Sequence, residues 1–179
     1  MVRMPRFRAV PVSSPAAAEL LEAYFAERRE TFPSGKGSYR TASPSDATFT
    51  PPAGSFLVVE DEDSGAGSAA EPGTVPALAC GGVRRIDPTQ EGLVRYEVKH
   101  VYVRPEARGR GLGRLLMTEL EEVAAGLGAD VVVLDTNESL VAAGGLYRAT
   151  GYREVEPYND NPNATTWFAK PVAPREPVG

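Results

Sequence analysis

Val103-Arg104-Pro105-Glu106-Ala107-Arg108-Gly109-Arg110-Gly111-Leu112-Gly113 places three alternate glycines between a β-prone run and an amphipathic one. Upstream, Tyr96–Val103 alternates like a strand. Downstream, Leu112, Leu115, Leu116, Leu120, Val123 and Leu127 recur every three or four positions, the stripe of a helix that Gly126 and Gly128 bring to a stop. Val131–Leu134 follows as an unbroken apolar run, the pattern of a strand covered on both faces. Strand, turn, helix and strand in this order make a β-α-β unit with parallel strands.

On the N-terminal side, Arg6–Val12 suits an edge strand because its proline excludes a central one. Ser13-Ser14-Pro15 then reads as a helix cap with proline in the first turn. The helix turns Leu20, Leu21, Tyr24, Phe25 and Arg28 inward, sets Glu19, Glu22 and Glu27 outward, and ends near Phe32-Pro33. Ser34–Ser55 is a long loop rich in Pro, Gly, Ser and Thr, with room for one short helix at Ser45-Asp46-Ala47. Phe56–Val59 and Ala77–Ile86 read as hairpin strands joined by the acidic, Gly/Ser-rich stretch Glu60–Pro76. On the C-terminal side, a helix over Leu140–Thr150 stops at Gly151, and strands fit Tyr152–Val155 and Thr165–Lys170. The expected fold is a single mixed α/β domain over residues 1–179, its glycine-rich half at about 96–170, with a frayed tail from Pro171.

The chain of 179 residues is long enough for one self-sufficient core. A lone cysteine, Cys80, excludes an internal disulfide, and with His100 as the only histidine no metal-ligand cluster is expected. The prolines at 5, 11 and 15 interrupt the first residues, which do not read as a signal peptide, and no run of about 18 apolar residues offers a membrane span. A cytoplasmic, metal-free protein is expected. The net charge of −5 argues against nucleic-acid or anionic-membrane partners.

Within that acidic chain, Arg104, Arg108, Arg110 and Arg114 crowd one turn. Glycines let main-chain N–H groups face a phosphate, and a following helix N-terminus adds about half a positive charge. The turn thus reads as an anion site, or else as a solvated turn whose arginines serve solubility. It lacks G-x-x-x-x-G-K-[ST], and Gly109-x-Gly111-x-Gly113 lacks the G-x-G-x-x-G spacing, so neither ATP nor NAD is favoured.

Arg108–Gly113 resembles the [QR]-x-x-G-x-[GA] signature of the GNAT superfamily of N-acetyltransferases, set after a strand ending V-x-P. Leu146-Tyr147-Arg148-Ala149-Thr150-Gly151-Tyr152 is similar to that family's L-Y-x-x-x-G-[FY]. The resemblance implies a mixed sheet whose parallel strands splay, with acetyl-CoA as co-substrate. Its pantetheine arm would lie against the backbone of Val101, Tyr102 and Val103, and its pyrophosphate on the amides of Arg108, Gly109, Arg110, Gly111, Leu112 and Gly113 beside Arg114. Asn137 either caps a helix or contacts the cofactor arm. A backbone N–H near Tyr102 would hold the oxyanion.

The implied reaction moves an acetyl group directly to a primary amine of a small molecule or peptide. A lysine-like amine is about one part in 2,500 neutral at pH 7, which costs about 4.6 kcal/mol to overcome. Glu97 is the candidate base, as a relay or an orienter of the ammonium group, because a carboxylate holds such a proton poorly alone. Its alternative is an exposed strand glutamate. Tyr147 is the candidate general acid toward the departing thiolate; a phenol near pKa 10 donating to a thiolate near 8.5 is uphill by about 2 kcal/mol, so a hydrogen bond can suffice. Its alternative is a packing tyrosine. The rival function is a non-catalytic acyl-CoA sensor, and the reading leaves a homodimer open. His100, three positions from Glu97, is expected to face away from it as a structural residue unless a bulge intervenes, and Cys80 to be small and buried. Tyr39, Arg40, Tyr158, Asn159, Asp160 and Asn161 lie in loops that either shape an amine pocket or serve as turn residues.

Overall fold

A computed structural model describes residues 5–61 and 76–173. Most of the expected hairpin tip and the tail beyond 173 lie outside them. Strand β1 (Pro5–Ala9) precedes helix α1 (Pro15–Thr31), then come β2 (Gly54–Asp61), β3 (Ala79–Ile86) and β4 (Arg95–Val103). Helix α2 (Leu112–Gly126), β5 (Val131–Thr136), α3 (Val141–Ala149), β6 (Arg153–Val155) and β7 (Thr166–Pro171) complete the order.

The seven strands form one sheet in the order β1-β2-β3-β4-β5-β7-β6. Every neighbouring pair is antiparallel except β4 and β5, which are parallel as the β-α-β reading requires. The edge position expected of the first strand holds, since β1 pairs only with β2. In α1, Ser14 accepts a hydrogen bond from the Ala17 amide and Pro15 opens the first turn, so sequence and helix start agree. The short helix expected at Ser45–Ala47 is a turn instead: Asp46 is drawn off to accept from the Ser13 amide and hydroxyl at 3.1 and 2.5 Å.

Both faces of the sheet are covered. Leu57, Val59, Tyr96, Leu116, Leu120, Val132 and Phe168 pack on the α2 side, and Leu20, Phe25, Phe56, Val58, Cys80 and Tyr102 on the α1 side. Each such side chain contributes about 1.5–3 kcal/mol by leaving water. Helix α3 forms through Gly144-Gly145 despite their low helix propensity, and its buried residues include Tyr147.

Two irregularities of β4 position everything that follows. It pairs with β5 only at Arg95, Tyr96 and Glu97, opposite Val131, Val132 and Val133, after which the two strands separate. On its other side, Cys80 opposes Tyr102 and Gly82 opposes Lys99, so His100 and Val101 together face Gly81 in a bulge, with His100 at φ 58°. The extra residue reverses the alternation: Tyr96 and Val98 face the α2 side, yet Tyr102 faces α1.

Candidate active site

The glycine turn has an open, left-handed backbone. Gly109 and Gly111 sit at φ 78° and 77°, which glycine adopts freely and other residues at a cost of about 1–2 kcal/mol. A Cβ at either position would meet nothing within 4 Å. Gly111 begins α2 without a side-chain cap, and the amides of Gly109 through Arg114 have no hydrogen-bond acceptor among the described residues. A bend of this kind presents several N–H groups and the positive helix end to one open space.

The arginines around it are more committed than their sequence crowding indicates. Arg104 donates to the Ala77 carbonyl and Glu19 at 2.8 and 2.5 Å, Arg108 to the Val103 carbonyl and Glu27 at 2.9 and 2.6 Å, and Arg110 to Asp61 at 2.9 Å. They brace the turn against α1 and β2, while Arg114 has no such partner among the described residues. The pairs of Arg108 and Arg110 are exposed, so each is weak and exchangeable for a better anion.

Where β4 and β5 separate, a cavity of about 550 Å³ opens, in the range of small-molecule sites. Val98 to Val101 and Leu134 to Asn137 form its floor, α1 supplies Tyr24, Phe25 and Arg28, and α3 supplies Tyr147. The loop residues Tyr39, Arg40, Asn159 and Asn161 line it as expected. Tyr158 does not line it and instead donates to Glu97, and Asp160 is exposed. The same loop also follows turn chemistry, because the side chains of Asn159 and Asn161 accept from the amides two residues on, at 3.2 and 3.1 Å.

Glu97 is not an exposed strand residue. It is 1% exposed and accepts hydrogen bonds from Arg84 at 2.7 Å, Tyr158 at 3.0 Å and Asn159 at 3.3 Å, with Lys99 at 3.1 Å. Lys99 continues the chain to Asp135 at 2.9 Å. Burial alone raises the Asp135 pKa, but the Lys99 charge and hydrogen bonds from Lys99 and Asn159 outweigh it and hold the carboxyl below the usual range. The Tyr158 hydroxyl is pushed strongly upward by burial and by the Glu97 and Asp135 charges, so it acts as a donor. Sequence reading found Glu97 but not Arg84, Lys99 and Asp135, because strand pairing alone brings them together.

Tyr147 is 8% exposed, lines the cavity, and its hydroxyl has no hydrogen-bond partner among the described residues. Burial pushes its pKa up to about 12 against the nearby positive charge of Arg28. Asn137 does not cap α3, whose cap residue is Leu140. Its side chain donates to the Asn163 carbonyl at 3.0 Å and accepts from the Ser139 amide at 3.0 Å. The Cys80 thiol is pushed up to about 12 by burial, which leaves it inert as a nucleophile.

His100 corrects the regular alternation. Through the bulge its ring joins Tyr24, Phe25 and Phe49 on the α1 face at centroid distances of 5.6, 5.5 and 5.9 Å, and its Nδ1 is buried without a partner. Burial, aided by the Lys99 and Arg84 charges, lowers its pKa to about 3, so the ring stays neutral. An unfolded imidazole titrates near 6.5, so between these values the unfolded chain binds one proton more and stability falls as pH falls. This group is expected to cost about 2 kcal/mol between pH 7 and pH 5. Urea melts of the parent and His100→Gln at both pH values check it: an unchanged pH dependence in the variant would refute the assignment.

Comparison with known proteins agrees with this geometry. Residues 17–152 match the model of the acetyltransferase (GNAT) family. A Schizosaccharomyces pombe protein named an uncharacterized N-acetyltransferase is 39% identical over 114 residues, which are 64% of this chain and 61% of that protein. A Dictyostelium discoideum protein of the same description is 38% identical over 68 residues, 38% of this chain and 32% of its own length. The chain therefore spans less than two thirds of these relatives. An acetyltransferase from Streptococcus agalactiae shares the fold at TM-score 0.67 and 14% identity, over 94% of this chain and 98% of its own. A phosphinothricin acetyltransferase from Sinorhizobium meliloti, solved in complex with AcCoA, does so at TM-score 0.59 and 20% identity, over 97% and 90%. With the parted strands, the open glycine turn and a family match over most of its length, the chain belongs to the acetyltransferase (GNAT) family.

Proposed function

We propose that this protein is an acetyl-CoA-dependent N-acetyltransferase that acts in the cytoplasm on a primary amine of a small molecule or peptide. The observation that carries the reading is the open turn at Gly109–Gly113, whose amides lack acceptors, beside a cleft made by two parting parallel strands. The AcCoA held by the Sinorhizobium meliloti fold neighbour supports it.

The amides of Gly109 to Gly113, with Arg108, Arg110 and Arg114 around them, suit a pyrophosphate, whereas the Arg108 amide expected among them donates to the Pro105 carbonyl at 3.2 Å. Beyond Glu97 the β4 backbone of Val101, Tyr102 and Val103 has no β5 partner, which suits hydrogen bonding to a pantetheine arm, and Asn137 borders the same cleft. When bound, acetyl-CoA supplies the acetyl thioester. A main-chain N–H near Tyr102 would polarise its carbonyl, and the Tyr147 hydroxyl would donate a hydrogen bond to the departing sulfur. Glu97 serves as a positioning residue: it fixes Arg84, Lys99, Tyr158 and Asn159 as one wall against which the amine is oriented.

Acetyl-CoA at about a hundred times its dissociation constant should stabilise the protein by about 2.7 kcal/mol. Gly111→Val should weaken that binding about 10²-fold, since a β-branched residue resists positive φ and its side chain fills the bend. Thermal shift and calorimetry read both effects. No response to millimolar acetyl-CoA ends this reading, and binding without thiol release in the presence of any amine would mark a sensor.

A further inference from the structure

We infer that the acceptor carries a carboxylate near its amine, and that the Arg28 guanidinium binds it. The inference rests on the acetyl-transfer reading and adds the substrate class. Arg28 lies on the inward stripe of α1, is 7% exposed and lines the cavity. No carboxylate approaches its nitrogens within 4.0 Å among the described residues, and its Cζ lies over the Tyr39 ring, 5.9 Å from the centroid. Of the other cations lining the cavity, Arg84 and Lys99 pair with Glu97 and Asp135, and Arg40 is exposed to water, which leaves Arg28 as the buried cation without a carboxylate partner among the described residues.

Guanidinium groups keep their charge when buried, so a lone buried arginine is costly unless something supplies the counter-charge. A carboxylate satisfies the guanidinium fork with two parallel hydrogen bonds, which a neutral group cannot do. Placement favours the same ligand. The Arg28 charge is felt at Tyr147, so guanidinium and hydroxyl are within electrostatic reach of one another. An anion on Arg28 therefore brings the amine of a short amino acid toward the point where β4 and β5 part. The rings of Tyr24, Phe25 and Tyr39 beside it offer an apolar wall for the rest of the molecule. The cavity volume fits a free amino acid and its side chain.

The test measures thiol release from acetyl-CoA with a panel of α-, β- and ω-amino acids, each beside its own carboxamide. The free acids should be preferred about 10²-fold in kcat/KM, the equivalent of about 3 kcal/mol for a charge-assisted pair. Arg28→Met should abolish the preference by raising KM for the acids while leaving acetyl-CoA affinity unchanged, and Arg28→Lys should fall between. Unliganded Arg28→Met should also melt no lower than the parent, because an uncompensated buried charge is gone. Equal turnover of acids and carboxamides, turnover of neither by a protein that binds acetyl-CoA, or a lowered melting temperature of Arg28→Met with preference intact overturns the inference and leaves cofactor binding standing. Absence of acetyl-CoA binding overturns both readings together.

Discussion

Tyr147→Phe is expected to lower kcat about 10²-fold while KM for acetyl-CoA and the melting temperature stay near the parent's. The tyrosine ring is packed, with centroids 5.9 Å from both Tyr152 and Phe168, and phenylalanine preserves that packing. Its hydroxyl makes no hydrogen bond among the described residues, so its removal breaks nothing in the resting protein. The effect falls on the step that develops negative charge at sulfur. A phenol at about 12 would surrender its proton to a thiolate near 8.5 only at about 5 kcal/mol, so in the proposed reaction Tyr147 would stabilise the leaving group by hydrogen bonding more than by full transfer. A hydrogen bond to a charged group is worth about 1.5–3 kcal/mol, which brackets the predicted loss. The donor works only in its protonated form, so no fall in activity from this group is expected up to about pH 10. Steady-state kinetics of the variant and the parent's alkaline pH profile decide the matter. An unaltered kcat reduces Tyr147 to a packing residue.

Much of this arrangement is legible in the sequence where its cause is local. The β-α-β unit, the glycine turn and the start of α1 follow from periodicity, capping and backbone preferences within about ten residues of each feature. Tyr147 is legible because its motif is contiguous. The charged wall is not, because Arg84, Lys99, Asp135 and Tyr158 meet Glu97 only after β3, β4 and β5 are in register and the 158–163 loop has folded over them. The bulge at His100 is a two-against-one mismatch with Gly81, visible only from both strands together. Arg28 stands in the sequence as one member of an apolar stripe, and its missing partner is a property of the cavity rather than of the helix. Asn137 looks like a cap for α3 and instead ties down the loop at Asn163, a competition that spacing cannot settle.

The largest stability effect is expected at Glu97, and its pattern separates support from chemistry. Its carboxylate is the one anion facing Arg84 among the described residues and shares Lys99 with Asp135. Glu97→Ala deletes it, leaving the Tyr158 hydroxyl without its acceptor and Lys99 with half its counter-charge in a buried setting. Breaking a buried pair from one side costs about 3–5 kcal/mol, partly relieved here because Arg84 reaches solvent. For a chain of this length that amounts to a fall in melting temperature of about 10 °C. Glu97→Gln keeps the shape and one acceptor oxygen, so it should lose less than half as much. If Glu97 positions the wall, kcat of Glu97→Gln should stay within about tenfold of the parent and the acidic limb of the kcat/KM profile should not move, since no catalytic proton resides on it. If Glu97 itself takes the proton from the amine, Glu97→Gln should instead lose about 10²-fold or more in kcat and lose that limb, with the same fall in melting temperature. Four donors converging on two oxygens leave little lone-pair capacity for a further proton, and on that ground the first outcome is expected.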